Sequence, residues 1–380
     1  GANAPKPLLL LAHLDVVEAL KTDWSPDLDP FKFIEKDGYY YGRGTADDKA
    51  QGAIFVANLI RMKKEGYVPD RDIIVALTAD EEGGGFNGVR WLIQNQRALV
   101  DAAFVINEGG RGAMKNDKPI FNELQATQKN STNFTVTARN KGGHSSVPRP
   151  DNAIYQLAEG LARFSKYSFP VKLNTVTRTF FERTAAVEAP ELGAAMRAVV
   201  KNETDANAAA VISKDPRYNS MLRTTCVATG LTGGHAANAL PQTAEARINC
   251  RMVPDADPTE VRALIVKALA DTGLEVSPAT NRAFVEPSSI GPEMLGPVEQ
   301  VTKELYGNIP VIPAMSTGAT DSQPFRVAGI PAYGVSGIMS DVEDIRSHGR
   351  DERILIKALY DGQEFLYRLT KLLATTKPVP

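Results

Sequence analysis

The sequence predicts an α/β protein with a mostly parallel sheet sandwiched by helices and a smaller, inserted α+β domain. Up to residue 128, short apolar runs typical of strands buried on both faces alternate with segments of helical periodicity. Between residues 129 and 285 the strands alternate apolar and polar side chains, which indicates sheets with one solvent-exposed face. After residue 286 the chain returns to the first pattern. We therefore expect a discontinuous larger domain, 1–128 and 286–380, around an inserted domain, 129–285.

The first segment alternates strands and helices. We predict strands at 7–12, 72–78 and 102–106, because each is a short apolar run bounded by polar residues or proline. Helical periodicity predicts helices at 49–65 and 87–98. This order favours parallel strands joined by crossover helices that cover both faces of the sheet.

The inserted segment has a different pattern of elements, which we predict from period-two alternation for strands and from apolar spacing for helices. The predicted strands are 133–139, 224–229 and 244–253. The predicted helices are 152–166, 190–211 and 258–272. Beyond residue 287 we predict helices at 292–305 and 354–374 and a strand at 331–335. These last elements are of the same kind as those of the first segment, so we assign them to the same domain.

Composition and charge exclude several classes of protein. Lys and Arg total 43 against 45 Asp and Glu, so the net charge is −2 and no basic surface for nucleic acid or an anionic membrane is indicated. No apolar run reaches the roughly 18 residues of a membrane-spanning helix. Two cysteines, Cys226 and Cys250, are too few for a disulfide scaffold or a cysteine-built zinc site, and we expect both to be buried free thiols.

The first residue of the chain is Gly1 rather than methionine. We expect that a preceding segment has been removed, together with any export signal that it carried. A cytoplasmic location and an exported one, periplasmic or secreted, are therefore both compatible with the sequence.

Histidines and carboxylates cluster at predicted strand ends and in glycine-rich loops. The clusters are HLD at 13–15, GRGTADDK at 42–49, DEEGGG at 80–85, NEGG at 107–110 and SHGRDE at 347–352. Each cluster alone also has a structural interpretation, such as a strand-end histidine, an N-cap aspartate pair or an acidic surface turn. Together they place two histidines and three carboxylates at one sheet edge, a suitable ligand set for two divalent ions, with zinc favoured. A carboxylate that bridges two ions about 3.5–4 Å apart forms a co-catalytic site.

Five motifs, HLD, GRGTADDK, DEEGGG, GGHSS and SHGRDE, occur in this order and resemble those of the M20 family of metallopeptidases. The family includes carboxypeptidases, desuccinylases, aminoacylases and N-acyl-amino-acid hydrolases, and the resemblance extends over essentially the whole length. It implies a di-metal catalytic domain of the zinc-exopeptidase type at 1–128 and 286–380, and a lid and dimerisation domain at 129–285. We therefore expect a homodimer formed through the lid domain.

The resemblance also implies roles for individual residues of the catalytic domain. Glu81 would be the general base, and Asp15 would orient the ring of His13. Asp47 would bridge the two ions, and the peptide bond after it would be cis. The implied metal ligands are His13, Asp47, Glu82, Glu108 and His348.

In the lid domain the resemblance implies three residues that contact the substrate. His144, in GGHSS at 142–146, would support the oxyanion, often from the partner subunit, and Asn238 would lie near the substrate. Arg251 would hold a substrate carboxylate, which the planar guanidinium group can bind through two hydrogen bonds. Judged from the residues alone, the three are more simply a loop histidine, a turn residue and a solvated arginine at a strand end.

These motifs indicate a metal-dependent hydrolase that cleaves an amide bond next to a free carboxylate, in a small peptide or an N-acyl amino acid. Within the family, glutamate at position 108 favours a carboxypeptidase or amidohydrolase; a dipeptidase or aminopeptidase that uses the same site is the alternative. A catalytically inactive peptide-binding protein is a further alternative, but competent residues at all ligand positions and at Glu81 argue against it. We expect two divalent metal ions per chain, with zinc favoured.

Overall fold

The computed structural model describes residues 5–83, 85–279 and 285–375. Its strands, in chain order, are β1 (Leu8–His13), β2 (Ile34–Lys36), β3 (Tyr39–Tyr41), β4 (Ile73–Thr78), β5 (Phe104–Asn107), β6 (Gly112–Lys115), β7 (Lys118–Gln128), β8 (Asn130–Arg139), β9 (Gly143–His144), β10 (Thr225–Gly233), β11 (Ala239–Leu240), β12 (Thr243–Met252), β13 (Leu274–Val276), β14 (Val311–Ser316), β15 (Ala332–Gly334), β16 (Met339–Asp341) and β17 (Arg353–Leu355).

The helices lie mostly between these strands, and a short 3-10 helix occupies Lys21–Asp23. The α-helices are α1 (Lys49–Lys64), α2 (Gly88–Asn95), α3 (Arg97–Val100), α4 (Ala153–Phe164), α5 (Thr175–Thr184), α6 (Pro190–Lys201), α7 (Ala206–Ile212), α8 (Pro216–Leu222), α9 (Pro258–Leu269), α10 (Pro292–Tyr306), α11 (Ser322–Val327) and α12 (Ile356–Ala374). Within the part of the chain that the structure describes, no helix combines the length and the apolar character needed to cross a bilayer.

The largest sheet contains the parallel strands that the sequence predicts. Its strand order is β16-β6-β7-β15-β5-β1-β4, and β14 pairs with β7 outside this path. Strand β1 is parallel to β4 on one side and to β5 on the other, and β15 is parallel to β5. The antiparallel pairings recorded for this sheet are those of β7 with β6 and with β15. The predicted α/β class, with a mostly parallel sheet, is confirmed.

The apolar run of β1 is explained by the two layers that cover it. Leu8 and Leu10 belong to a core that includes Phe55 of α1 and the apolar face of α12. Leu9 and Leu11 point into the opposite core, which includes Val89 of α2. Because both faces of β1 are covered, every position of the run is apolar, and full burial of each leucine stabilises the fold by about 1.5–3 kcal/mol.

The second large sheet is antiparallel, with the order β10-β12-β8-β13. One of its faces packs on α4 and α9 through a core that includes Phe134 and Ile265. The chain passes from the first sheet to this one between Gln128 and Asn130. A smaller antiparallel unit is therefore present, as predicted, whereas the domain limits at 129–285 stay a prediction.

The predicted single helix at 190–211 is two helices. α6 ends at Lys201, and α7 begins after Asp205, whose side chain accepts a hydrogen bond from the backbone N–H of Ala208. An aspartate in this position starts a new helix, because it satisfies an N–H group that has no partner inside the helix. The apolar side chains of α5 to α8 pack against residues of β14, including Ile312, in the largest sheet.

The expectation that Cys226 and Cys250 are free thiols is wrong. Cys226 on β10 lies directly opposite Cys250 on β12, with their Cα atoms 4.1 Å apart, and the two form a disulfide bond. The local sequence around each cysteine carries no information about this pairing. The register of β10 against β12, which places the two cysteines opposite each other at a separation of 24 residues, decides it.

Candidate active site

The carboxyl ends of three adjacent strands bring the predicted metal ligands together. His13 is the last residue of β1, Glu108 follows β5 directly, and Glu82 lies in the loop after β4. Since β4, β1 and β5 are neighbours and parallel, these residues meet at one edge of the sheet. Asp47 reaches the same edge from the loop between β3 and α1, and its peptide bond to Asp48 is cis, as the resemblance implied.

The ligand atoms form two groups that share one residue. In each group, one ligand atom from each of three residues lies within 4.8 Å of the others. The first group is His13, Asp47 and Glu108, and the second is Asp47, Glu82 and His348. Oδ1 of Asp47 lies 3.1 Å from Nε2 of His13, and Oδ2 lies 3.0 Å from Nε2 of His348. The two oxygens of Asp47 therefore face different histidines, which is the arrangement that a bridging carboxylate requires.

The electrostatics of these groups suit positive ions. Burial, followed by the charges of Asp48 and Asp47, raises the pKa of Glu108 well above its usual range. Burial alone would lower the pKa of His13, but the hydrogen bond to Asp47 and the nearby carboxylates raise it to about 10. Concentrated negative charge of this kind is costly to bury without a counter-charge. The donors are imidazole nitrogens and carboxylate oxygens, a set that fits zinc and related divalent ions.

One buried carboxylate oxygen of the second group has no hydrogen-bond partner among the described residues, so a bound cation would be a suitable partner. Oε1 of Glu82 is buried and has no hydrogen bond of acceptable geometry within the described chain, although Nε2 of His348 lies only 3.0 Å away. Burial and the charge of Asp47 raise the pKa of Glu82. A cation between these atoms would satisfy both of them, because each has a lone pair to offer when deprotonated.

Asp15 lies beside His13, whose ring the resemblance expects it to orient, and it also contacts a second loop. Nδ1 of His13 is 3.2 Å from the backbone carbonyl oxygen of Asp15 and 3.5 Å from its carboxylate oxygen Oδ1. Oδ2 of Asp15 accepts a hydrogen bond of 3.0 Å from the backbone N–H of Glu82. Asp15 therefore connects the loop of His13 to the loop of Glu82.

Glu81 is partly buried and is within electrostatic reach of the ligand groups and of a further acid, Asp321. Burial and then the charge of Asp321 raise the pKa of Glu81 to about 7, a value suited to a general base near neutral pH. Asp321 itself is buried and accepts a hydrogen bond of 2.6 Å from the side chain of Asn87. The charge of Asp321 therefore acts on Glu81, an effect that the sequence motifs did not indicate.

The structure brings His144 and Asn238 together, and neither belongs to the two ligand groups. Strand β9, which contains His144, pairs with β11, and the backbone N–H of Ser145 donates to the carbonyl oxygen of Asn238 at 3.0 Å. His144 and Asn238 are both exposed. Neither of the two ligand groups includes His144, whose Nδ1 lies 2.7 Å from Oγ of Ser146.

Arg251 lies in a cationic cluster that the sequence did not predict. It is directly opposite Thr225 in the pairing of β12 with β10, and Nζ of Lys129 donates to Oγ1 of Thr225 at 3.1 Å. Lys129 is only 1% exposed, and burial, with the charges of Arg251 and Arg223, lowers its pKa to about 7. Among the described residues, no carboxylate pairs with any of these three cations. Arg223 donates to the carbonyl oxygen of Phe169 and to Oγ of Ser213, and Arg251 is only partly buried, so a partly buried cluster of positive charge remains that is suited to an anion.

A cavity of about 220 Å³ opens beside Asp47 and Glu108. Apolar side chains form much of its wall: Met114, Ile338, Met339, Ile345 and Leu355. Arg111, three residues after Glu108, also lines it. The cavity therefore offers an apolar group of a substrate space next to the ligand groups.

Several known proteins are similar in sequence to this chain. The sequence model of peptidase family M20/M25/M40 matches residues 9–372. N-fatty-acyl-amino acid synthase/hydrolase PM20D1 of Xenopus tropicalis is 29% identical over 363 residues, which cover 93% of this chain and 70% of that protein. Probable carboxypeptidase S-like 2 of Dictyostelium discoideum is 27% identical over 384 residues, which cover 96% of this chain and 71% of that protein.

Solved structures show the same fold. The M20 family metallo-carboxypeptidase Sso-CP2 from Sulfolobus solfataricus superposes with a TM-score of 0.68 at 21% identity, over 98% of this chain and 86% of that one. At this identity the likeness concerns the fold, and the chemistry has to be argued from the residues of the site.

Proposed function

Because this chain belongs to peptidase family M20/M25/M40, we propose that it uses two zinc ions to hydrolyse an amide bond next to a free carboxylate. Metal-dependent amide hydrolysis follows from the family and from relatives that include an N-fatty-acyl-amino acid synthase/hydrolase. The zinc, the free carboxylate and the role of each residue are the finer part of the proposal. The main support for the proposal is the position of the Asp47 carboxylate. One of its oxygens faces His13 and the other faces His348, and its charge acts on Glu81.

The ions would be held by His13, Asp47 and Glu108 on one side and by Asp47, Glu82 and His348 on the other. When bound, they would acidify a water molecule and polarise the acyl carbonyl group. Glu81 accepts the proton of the attacking water and later donates it to the leaving nitrogen, a transfer for which a pKa near 7 is well matched. The negative charge that develops on the carbonyl oxygen is stabilised by His144.

We further propose that the cationic cluster of Arg251, Lys129 and Arg223 binds the free carboxylate of the substrate. A guanidinium and an ammonium group without an acidic partner leave hydrogen-bond donors for a carboxylate. The apolar cavity beside Glu108 would then accept an apolar part of the same substrate. Both an N-acyl amino acid and a peptide with a free C-terminus satisfy this description.

Replacement of Lys129 by Met should raise KM for substrates with a free carboxylate by roughly 10- to 100-fold, the effect of losing a hydrogen bond to a charged group. In the wild type, the ammonium group of Lys129 loses its proton as the pH rises through about 7, so KM should rise over the same range. Steady-state kinetics from pH 6 to 9 test this, with the amide of the same substrate as the control. Equal KM and equal pH dependence in the two proteins would exclude Lys129 from substrate binding.

A substrate panel separates the proposal from the two alternatives. We expect turnover of N-acyl amino acids and of peptides with a free carboxylate, and loss of turnover when that carboxylate is amidated. A requirement for a free amine instead would indicate an aminopeptidase or dipeptidase on the same site. A protein that binds these compounds and two metal ions but cleaves none of them would be a peptide-binding protein.

We also propose that the chain acts as a homodimer in which His144 serves the site of the partner subunit. His144 is exposed and makes its recorded contact to Ser146, within its own loop. Strand β10 lies at the edge of its sheet and exposes Val227 and Leu231, which suits pairing with a second copy.

Replacement of His144 by Ala should lower kcat by roughly 10²–10³-fold, as expected for a lost oxyanion donor. Mixing His144→Ala subunits with Glu81→Gln subunits should restore activity, because one site of the mixed dimer then has both residues. Activity assays after subunit exchange measure this. If kcat of His144→Ala is unchanged, His144 has no part in the reaction; if the mixture stays inactive, His144 does not act across subunits.

A further inference from the structure

Glu352, at the end of the SHGRDE motif, is a fully buried carboxylate with every hydrogen bond directed to one loop. Its exposed fraction is 0%. Oε2 accepts a hydrogen bond of 2.7 Å from Nη1 of Arg43. Oε1 accepts from the backbone N–H groups of Ala46 at 2.8 Å and of Asp47 at 3.1 Å. Both oxygens are therefore engaged, and the backbone of Asp47 is one of the groups that they hold.

Arg43 extends this contact to the loop of the second histidine. Its Nη2 lies 3.4 Å from the backbone carbonyl oxygen of His348, and its guanidinium carbon lies 5.5 Å from the ring centre of Trp24. The backbone N–H of Gly42 also donates to the carbonyl oxygen of Glu352 at 3.1 Å. The Arg43–Glu352 pair thus contacts the main chain of both Asp47 and His348.

The backbone of His348 needs such support. Its φ angle is 63°, in the left-handed region that side chains other than glycine adopt only when the surrounding structure holds them there. The side chain of His348 is more than half exposed, so packing around the ring contributes little to its position. Apart from the contacts of its Nε2 with Asp47 and Glu82, the position of the ring therefore depends on the main chain of His348 and on the loop that follows it.

We propose that Arg43 and Glu352 are positioning residues for the metal centre, which hold Asp47 in place between His13 and His348. The inference rests on the proposed function, since it concerns the same ligand groups. Arg43 and Glu352 are not ligands themselves: both oxygens of Glu352 are occupied, and Arg43 balances its charge. Their effect on the ions is exerted through the backbone of two ligand residues, and such supporting partners typically account for 10- to 100-fold in metal affinity.

An ion pair that only stabilised the fold would behave differently. Its loss would lower the unfolding midpoint without changing the affinity of the folded protein for metal. The chain offers a matched control in Glu123, which is also buried and lies 3.3 Å from Nη2 of Arg217 and 3.7 Å from Nε of Arg111. Glu123 belongs to β7. It contacts Arg111, three residues after Glu108, but in the described structure it pairs with neither the loop of Asp47 nor that of His348.

The experiment compares wild type, Glu352→Gln and Glu123→Gln. Zinc affinity is measured by competition with a chromophoric chelator, the geometry of the site by the visible spectrum of the cobalt-loaded protein, and stability by urea unfolding of the metal-free protein. We expect Glu352→Gln to bind zinc about 10- to 100-fold more weakly and to show an altered cobalt spectrum. Glu123→Gln should lose stability but keep the affinity and the spectrum of the wild type.

Equal affinity in Glu352→Gln and wild type would overturn the proposal, as would an equal loss in Glu123→Gln. If Glu352→Gln does not fold, Arg43→Lys replaces it: this variant keeps the charge but lacks the planar fork that reaches both Glu352 and His348. It should show the same weakened affinity, and wild-type affinity in it would overturn the proposal. Failure of the wild type itself to bind zinc would instead contradict the proposed function.

Discussion

Replacement of Glu81 by Gln should reduce kcat by roughly 10²–10⁴-fold while both metal ions stay bound, because this is the contribution of general acid–base catalysis. Gln has the same shape as Glu but cannot accept the proton of the attacking water. Glu81 belongs to neither of the two ligand groups, so its replacement leaves every proposed ligand in place. Steady-state kinetics combined with elemental mass spectrometry of the purified protein measure the two quantities on the same sample.

The neighbouring acid provides the control. Asp80 also lies in the loop after β4, and its φ angle of 69° is one that asparagine tolerates well. Asp80→Asn should therefore retain turnover. Turnover in Glu81→Gln close to that of the wild type would remove Glu81 from the mechanism, and loss of metal in this variant would mean that its side chain is a ligand.

Replacement of Asp47 by Ala should remove both ions rather than one. The wild type should retain about two zinc ions per chain after loading and exhaustive dialysis, as a co-catalytic site requires. Asp47 is shared by the two ligand groups, so its loss takes one ligand from each. Without it the imidazoles of His13 and His348 also lose the carboxylate that lies 3.1 Å and 3.0 Å away, respectively.

Elemental mass spectrometry of dialysed samples gives the metal count. His348 belongs to one ligand group only, so His348→Ala should lower the metal count by about one ion. The control is Asp341→Asn, an aspartate that lines the neighbouring cavity but belongs to neither group. Retention of two ions by Asp47→Ala would contradict a bridging role, and loss of metal from Asp341→Asn would mean that the ligand set is larger than proposed.

The fold class and the general position of the site could be predicted because both depend on local patterns. The apolar run of β1 and the alternating pattern of β12 each reflect how many faces of a strand are buried. The short motifs place His13 and Glu108 directly at strand ends, and parallel neighbours bring strand ends together. The break between α6 and α7 could have been found from Asp205, a residue type that favours the N-cap position.

Other features depend on the register and packing of segments that are distant in sequence. The sequence contains Arg43 and Glu352 in two recognisable motifs, but they are separated by 309 positions, and nothing local indicates that they form a buried pair. In the sequence, Lys129 looks like an ordinary polar residue at the start of a strand. The structure shows that it donates to Thr225, which lies opposite Arg251. The roles of the predicted site residues stay predictions, to be tested by the variants described above.

By itself, therefore, the sequence determined the α/β class and the family and gave the candidate metal ligands, because periodicity and short motifs are properties of a few neighbouring positions. The tertiary structure decided which of these residues lie together, that Cys226 pairs with Cys250, and that Arg43 and Glu352 contact the main chain of two candidate ligands. The physical reason is that such contacts follow from strand register and close packing, which involve the whole chain and which no local window of sequence contains.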